Sequence, residues 1–133
     1  MNDLVVTGKR KEAIAKATIK DGSGIITINK KPLGSYTNLL YLEVSEPLVI
    51  AKEILGKLKF DISINAKGGG VSGQMQASRL AISLAIVKFT ENEEVRQAFL
   101  SYDRTLLIAD TRRKEVCKPG DSKARAMRQT SFR

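Results

Sequence analysis

The sequence predicts an α+β domain that runs into a basic tail, on three observations. Segments of period-two hydrophobicity dominate the first 66 residues, helical patterns occupy 45–56, 72–89 and 93–101, and beyond Asp110 neither period continues. There the cations crowd instead: Arg112, Arg113, Lys114, Lys118, Lys123, Arg125, Arg128 and Arg133 stand against Glu115 and Asp121 alone. Six of the chain's nine net positive charges thus fall in residues 112–133. A near-neutral body with a basic, non-periodic extension is the pattern of a nucleic-acid binder.

A chain of 133 residues suits one domain, and 42% hydrophobic with 28% charged residues is a globular composition. Residues 1–110 are therefore expected to form a globular domain, and 111–133 an extended basic C-terminal tail. No lipidation signal, basic amphipathic helix or transmembrane run appears, and the start lacks a secretory h-region. A cytoplasmic protein with no membrane partner is expected. Cys117 is the one cysteine and histidine is absent, which removes an internal disulfide, His-based metal sites and Ser-His-Asp catalysis. Cys117 reads as a solvated thiol.

Leu4–Thr7 reads as a short strand, followed by a basic turn at Gly8-Lys9-Arg10-Lys11. Residues 13–20 alternate, with Lys16, Thr18 and Lys20 outward and Ile14 or its neighbours inward. Asp21-Gly22-Ser23-Gly24 predicts a hairpin turn, with Ile25–Asn29 as the returning strand. Lys30-Lys31-Pro32-Leu33-Gly34 then breaks the sheet. Ser45-Glu46-Pro47 predicts a helix start, with Leu48, Ala51, Ile54 and Leu55 on one face and Gly56 as the stop. In 59–66, Phe60, Ile62, Ile64 and Ala66 alternate cleanly with polar residues. The helix over 72–89 is apolar around most of its circumference, relieved by Gln74, Gln76, Arg79 and Ser83, so it is expected to be buried at the centre. Asn92 is a candidate cap for a helix over 93–101, and Thr105–Ala109 predicts a last buried strand.

The glycine run between the strand at 59–66 and the central helix is the sharpest local signal for chemistry. Gly68, Gly69 and Gly70 let backbone amides approach a ligand, the helix presents its positive end, and Lys67 adds a cation. The following residues lack the Gly-Lys-Ser/Thr of a nucleoside-triphosphate loop, so RNA phosphate is the expected anion; a tight strand–helix turn is the plain alternative. Lys9, Arg10 and Lys11 form a second candidate phosphate site. Tyr36, Tyr41 and Tyr102 read as core edges before base-stacking platforms, and Glu43, Glu46, Asp103 and Asp110, which share no metal motif, as caps or surface charges. In the tail, Lys118-Pro119-Gly120 favours an extended or turned chain, and Phe132 offers a stacking face. Twenty-two extended residues reach roughly 70 Å, far enough to thread between RNA helices.

Taken together these motifs resemble the S-nine family of small-subunit ribosomal proteins. The resemblance rests on Thr7-Gly8-Lys9-Arg10-Lys11, Lys31-Pro32-Leu33, Gly68-Gly69-Gly70-Val71-Ser72-Gly73-Gln74 and Ala77-Ser78-Arg79-Leu80-Ala81-Ile82. Asp110-Thr111-Arg112-Arg113-Lys114-Glu115, Lys118-Pro119-Gly120 and Ser131-Phe132-Arg133 complete it. The tail is similar to the archaeal and eukaryotic branch, with Phe132 where a tyrosine is usual. The resemblance implies a single two-layer domain, a four-stranded sheet with helices like domain two of ribosomal protein S-five. It implies a structural protein, not an enzyme, with no cofactor. Its partners would be ribosomal RNA in the head of the small subunit, peptidyl-site tRNA and neighbouring head proteins. Lys9, Arg10, Lys11, Lys67, Gly68, Gly69, Gly70, Arg112, Arg113, Lys114, Lys118, Lys123 and Arg125 would then meet ribosomal RNA. Arg128, Phe132 and Arg133 would meet the anticodon stem-loop of tRNA.

Overall fold

A computed structural model of the chain describes residues 3–36, 38–120 and 123–126. Its strands are β1 (Leu4–Arg10), β2 (Ala13–Asp21), β3 (Ile26–Ile28), β4 (Lys31–Pro32) and β5 (Phe60–Lys67). Its helices are α1 (Asn38–Leu55), α2 (Val71–Thr90) and α3 (Glu93–Tyr102), with single 3-10 turns at Leu33–Ser35 and Arg104–Leu106. The sheet order is β1-β2-β5-β3-β4. Every neighbouring pair is antiparallel except β3 and β5, which are parallel and joined in sequence through β4 and α1. The class is α+β as expected, with a two-residue edge strand beyond the four expected.

The strand period decides which residues make the core. Ala13, Ala15, Ala17 and Ile19 of β2 are buried, as are Phe60, Ile62, Ile64 and Ala66 of β5, so Ile14 faces outward and its neighbours inward. Helix α2 covers this face with Ala77, Ala81, Ile82, Ala85 and Ile86. The seam is built from small side chains, which brings helix and sheet unusually close. At Gly8 a Cβ would stand 2.3 Å from the Ala77 carbonyl oxygen and 2.8 Å from the Ala81 nitrogen. Gly8 is there because nothing larger fits.

Four expectations are corrected. The segment after Asp21 does not return beside β2; β5 lies between β2 and β3. Period-two alternation identifies a strand but not its partner, and here the turn wraps a carboxylate of β5. Asp61 Oδ1 accepts from the amides of Ser23 (2.9 Å), Gly24 (2.9 Å) and Ile25 (2.8 Å), and these bonds, led by that of Ile25, hold its carboxyl below the usual aspartate range. Second, the sheet does not break at Lys31. Asn29 and Lys30, with φ of 49° and 66°, make a two-residue turn of the twisted kind hairpins prefer, and Pro32 sits on the edge strand, where it forfeits no ladder bond.

Third, α1 begins at Asn38, not near Ser45, and Pro47 lies buried inside it. The helix carries a residue that usually starts one because tertiary burial outweighs the lost N–H bond. Ser45 is no cap; its hydroxyl donates to the Leu42 carbonyl. Fourth, Thr105–Ala109 is not a strand. Asp103 caps a 3-10 turn by accepting from the Thr105 amide, and only Leu106 of that stretch is buried. Two end signals stand as read: Asn92 accepts from the Glu94 amide at the start of α3, and Gly56, at φ 72°, closes α1.

Gly8→Ala is expected to destabilise the fold by about 1–3 kcal/mol, the usual cost of overpacking a tight core contact. Urea unfolding midpoints check it, and an unchanged midpoint would mean that the strand–helix approach is not tight in solution.

Candidate nucleic-acid interface

The β1–β2 connection is tighter than a four-residue basic turn. Arg10 pairs with Ala13, leaving Lys11 and Glu12 as the turn, with Lys11 at φ 52°. Gly8, Lys9 and Arg10 therefore belong to β1, and its alternation splits the cations. Lys9 is exposed on the outer side of the sheet, Arg10 turns in toward α2, and Lys11 stands at the tip. The expected single basic cluster is two-faced because neighbouring side chains on a strand point to opposite sides.

The glycine run divides its labour as well. Gly68 and Gly69 have φ of 80° and 62°, and a Cβ on Gly68 would come within 2.6 Å of the Glu12 carbonyl oxygen. These two press the turn against the end of the β1–β2 hairpin. Gly70 has open space around it and is the N-cap of α2, with no side chain bonded to the helix end. The first-turn amides of Val71, Ser72 and Gly73 are thereby left for an outside acceptor, at the positive end of a 20-residue helix. The plain reading, a tight strand–helix turn, holds for Gly68 and Gly69, while Gly70 leaves the helix end open.

The chain fold then brings a third segment alongside. Arg10, Lys11, Glu12, Gly69, Gly70, Ser72, Gly73, Gln76, Arg112, Arg113 and Lys114 line one open groove of ≈ 910 Å³. That volume admits a nucleotide unit, not merely an ion. Of the other expected contacts, Gly68 supports the rim by accepting from Gln74 Nε2 at 3.2 Å, and Lys67 lies on the outer sheet face beside Ile14. Lys118 and Lys123 are exposed and do not line the groove, and Arg125 bonds Glu115 at 2.8 Å. Arg128, Phe132 and Arg133 lie outside the described residues.

A polar lattice holds these parts in place. Arg10 Nε donates to Gln76 Oε1 at 2.9 Å, and its Nη2 pairs with Asp110 at 3.3 Å. Asp110 also takes Arg112 at 2.7 Å through Nη2 and accepts from the Arg112 amide at 2.9 Å. Arg113 donates to the Lys11 carbonyl at 2.7 Å, across 102 positions of sequence. Behind the groove, Arg79 of α2 binds Glu46 of α1, and Asp103 and Thr105 after α3. The cleft between them, ≈ 360 Å³, is wide enough to hydrate Arg10 Nη1, Glu43 Oε2 and Arg79 Nε, which are buried with no protein partner.

The electrostatics follow from this wiring. Hydrogen bonds from Arg112, joined by the charge of Arg10, hold the Asp110 carboxyl well below the usual carboxylate range and raise Arg112 in turn. Two expected phosphate ligands are thus partly neutralised, and Lys11, Arg113 and Lys114 are the groove cations without an ion pair among the described residues, Arg113 being tied instead to the Lys11 carbonyl. No group of three metal-ligating side chains occurs among the described residues, and Cys117 is exposed. Cations and open helix amides facing one groove are an arrangement suited to an anion. Sequence reasoning missed the roles of Gln76, Arg79 and Asp110. The signal was present: Gln76 and Arg79 are polar interruptions on an otherwise apolar helix, and each faces a charged partner. Tyr36, read as a core edge, bonds the Ile28 carbonyl at 2.8 Å.

The chain matches the family described as ribosomal protein S9/S16 over residues 8–133. A Methanococcus vannielii protein, small ribosomal subunit protein uS9, is 48% identical over 136 residues, covering all of both chains. Proteins of the same name from Methanococcus maripaludis and Thermoplasma volcanium are 49% and 45% identical, again across 100% of each chain.

Because Asp110 has a depressed folded-state value, its ion pairs stabilise the protein above the ordinary value of 3.8 and are lost as pH falls through the folded one. The stability gap between the parent chain and Asp110→Asn is expected to be constant from neutral pH to about pH 5 and to shrink below 3.8. Urea midpoints taken across that range measure it. A gap independent of pH would show that the carboxylate charge is not what holds Arg10 and Arg112.

Proposed function

The chain belongs to the ribosomal protein S9/S16 family and is a structural constituent of the small ribosomal subunit, not an enzyme; on that premise we propose that it grips ribosomal-RNA phosphates in the groove at the start of α2. As a ribosomal constituent it works in the cytoplasm, among RNA and protein neighbours of the subunit. The observation that carries the groove reading is the convergence of an uncapped helix N-terminus with Lys11 and Lys114 from opposite ends of the chain. Amides and lysines directed at phosphate position a protein without reading sequence, which suits a component that must sit at one place in a folded RNA.

The finer reading divides the chain by task. Residues 1–110 anchor on ribosomal RNA in the subunit head, and 111–133 run as a basic tail. Arg112 and Arg113 root that tail, since their bonds to Asp110 and Lys11 hold its first residues against the body. Residues 111–118 are exposed and carry no helix or strand, as a segment laid along RNA would. Lys118, Lys123 and Arg125 continue the phosphate path, and Arg128, Phe132 and Arg133 reach the anticodon stem-loop of peptidyl-site tRNA. A contact to tRNA phosphates tolerates every tRNA sequence, as that site requires.

One set of reconstituted small subunits tests both halves. Lys11→Gln with Lys114→Gln should weaken binding to small-subunit ribosomal RNA and make the log–log salt slope shallower by about 2, from roughly 0.9 per phosphate contact. Removing 123–133 should leave assembly intact and lower peptidyl-site tRNA affinity. An unchanged slope contradicts the groove assignment, and unchanged tRNA affinity contradicts the tail assignment.

A further inference from the structure

We propose that the uncovered face of the sheet is a second RNA-backbone surface, distinct from the groove, which takes the phosphates and 2′-hydroxyls of an RNA duplex. This rests on the ribosomal reading above and adds a site to it. Helix α2 packs on the inner face of β1, β2 and β5, and among the described residues no protein layer lies over the outward side chains of those strands. Register sets them in rows. Thr7, Lys16 and Asn65 are direct cross-strand neighbours, and Thr18 faces Ser63 in the next row. Lys67 stands at one end of this strip and Lys20 at the other.

Charge and chemistry choose the occupant. The carboxylate on the outer face of these strands is Asp61, and its Oδ1 is already engaged by three backbone amides. The lysines are exposed and form no salt bridge among the described residues, although Lys20 stands across from Asp61 and its charge helps hold that carboxyl low. Hydroxyl and amide side chains between them can both donate to and accept from ribose hydroxyls. No aromatic side chain points outward from β1, β2 or β5; Phe60 is buried on the inner face. Base stacking, by which many sheets bind single-stranded RNA, is therefore absent from this surface. Three strands spaced by about 4.8 Å give a polar strip about 10 Å across, a match for the wide, shallow minor groove of a duplex. Val5 and Ile14 are the exposed apolar residues on the strip, too isolated to make the core of a protein interface.

The groove and the sheet face are on different sides of the β1–β2 hairpin, with Lys11 at the tip between them. Two backbone sites so disposed would let the domain bridge two RNA segments, a structural task that a single phosphate grip does not perform.

Amine acetylation of Lys16 in intact small subunits, before and after nuclease digestion, tests this directly. Lys16 is expected to be shielded in the subunit and to become reactive once the RNA is removed. In binding of the full chain to small-subunit ribosomal RNA, Lys16→Gln with Lys20→Gln should make the salt slope shallower by about 2, additively with the Lys11 and Lys114 pair. Lys16 freely labelled in the intact subunit would overturn the proposal. So would shielding that survives nuclease, since a protein would then cover the face. The two sites fail separately: loss of slope only with the groove pair removes the sheet site, and loss only with the sheet pair removes the groove.

Discussion

Gly8 meets the backbone of α2 so closely that a methyl group there would stand 2.3 Å from the Ala77 carbonyl oxygen, and the position of every functional part follows from that approach. A glycine and a row of alanines on β1, β2 and α2 let helix and strands lie almost backbone to backbone. With the separation so small, Arg10, two residues along β1, reaches Gln76 on the adjoining turn of α2. The hairpin tip at Lys11 and Glu12 then lies beside the glycine turn that opens the helix. A larger residue at Gly8 would part these elements and open the groove at its floor.

The charges are arranged in two tiers. Several arginines are engaged structurally: the half-buried Arg10 and the exposed Arg112 share Asp110, while Arg79 ties α1, α2 and the turn after α3 together. Lysines at the rim and on the outer sheet face are left to solvent or to a partner. This division has a chemical basis. A planar guanidinium with five donors can satisfy several fixed acceptors at once, whereas a lysine ammonium is a mobile point charge suited to phosphate positions that are not known in advance. Counting cations therefore overstates the number available to RNA, and the wiring of each one decides its use.

How much of this was legible in the sequence differs by kind of feature. Strand faces in β5, the central helix, the Asn92 cap and the glycine stop at Gly56 follow from local rules and appear as read. Pairing did not. That Ile26–Ile28 adds in parallel to β5 depends on Asp61, 36 positions away from Ile25, accepting the turn amides. The stretch at Thr105–Ala109 looked like a strand because it is apolar, yet Asp103 bends it into a single 3-10 turn. For the candidate site, the glycine run, the basic residues near Lys11 and the arginines after Asp110 were each visible alone. Their meeting was not, because the contact from Arg113 to Lys11 spans 102 residues and leaves no trace in any window of sequence.

The central claim is that phosphate sits on the open amino end of α2. Amide chemical shifts of the full chain, followed by NMR while a head fragment of small-subunit ribosomal RNA is titrated in, test it most directly. Hydrogen bonding to phosphate should move the amide protons of Val71, Ser72 and Gly73 downfield, further than those of the buried turns of the same helix. If those three signals stay in place while binding saturates, the RNA is held elsewhere and the account of the groove is wrong.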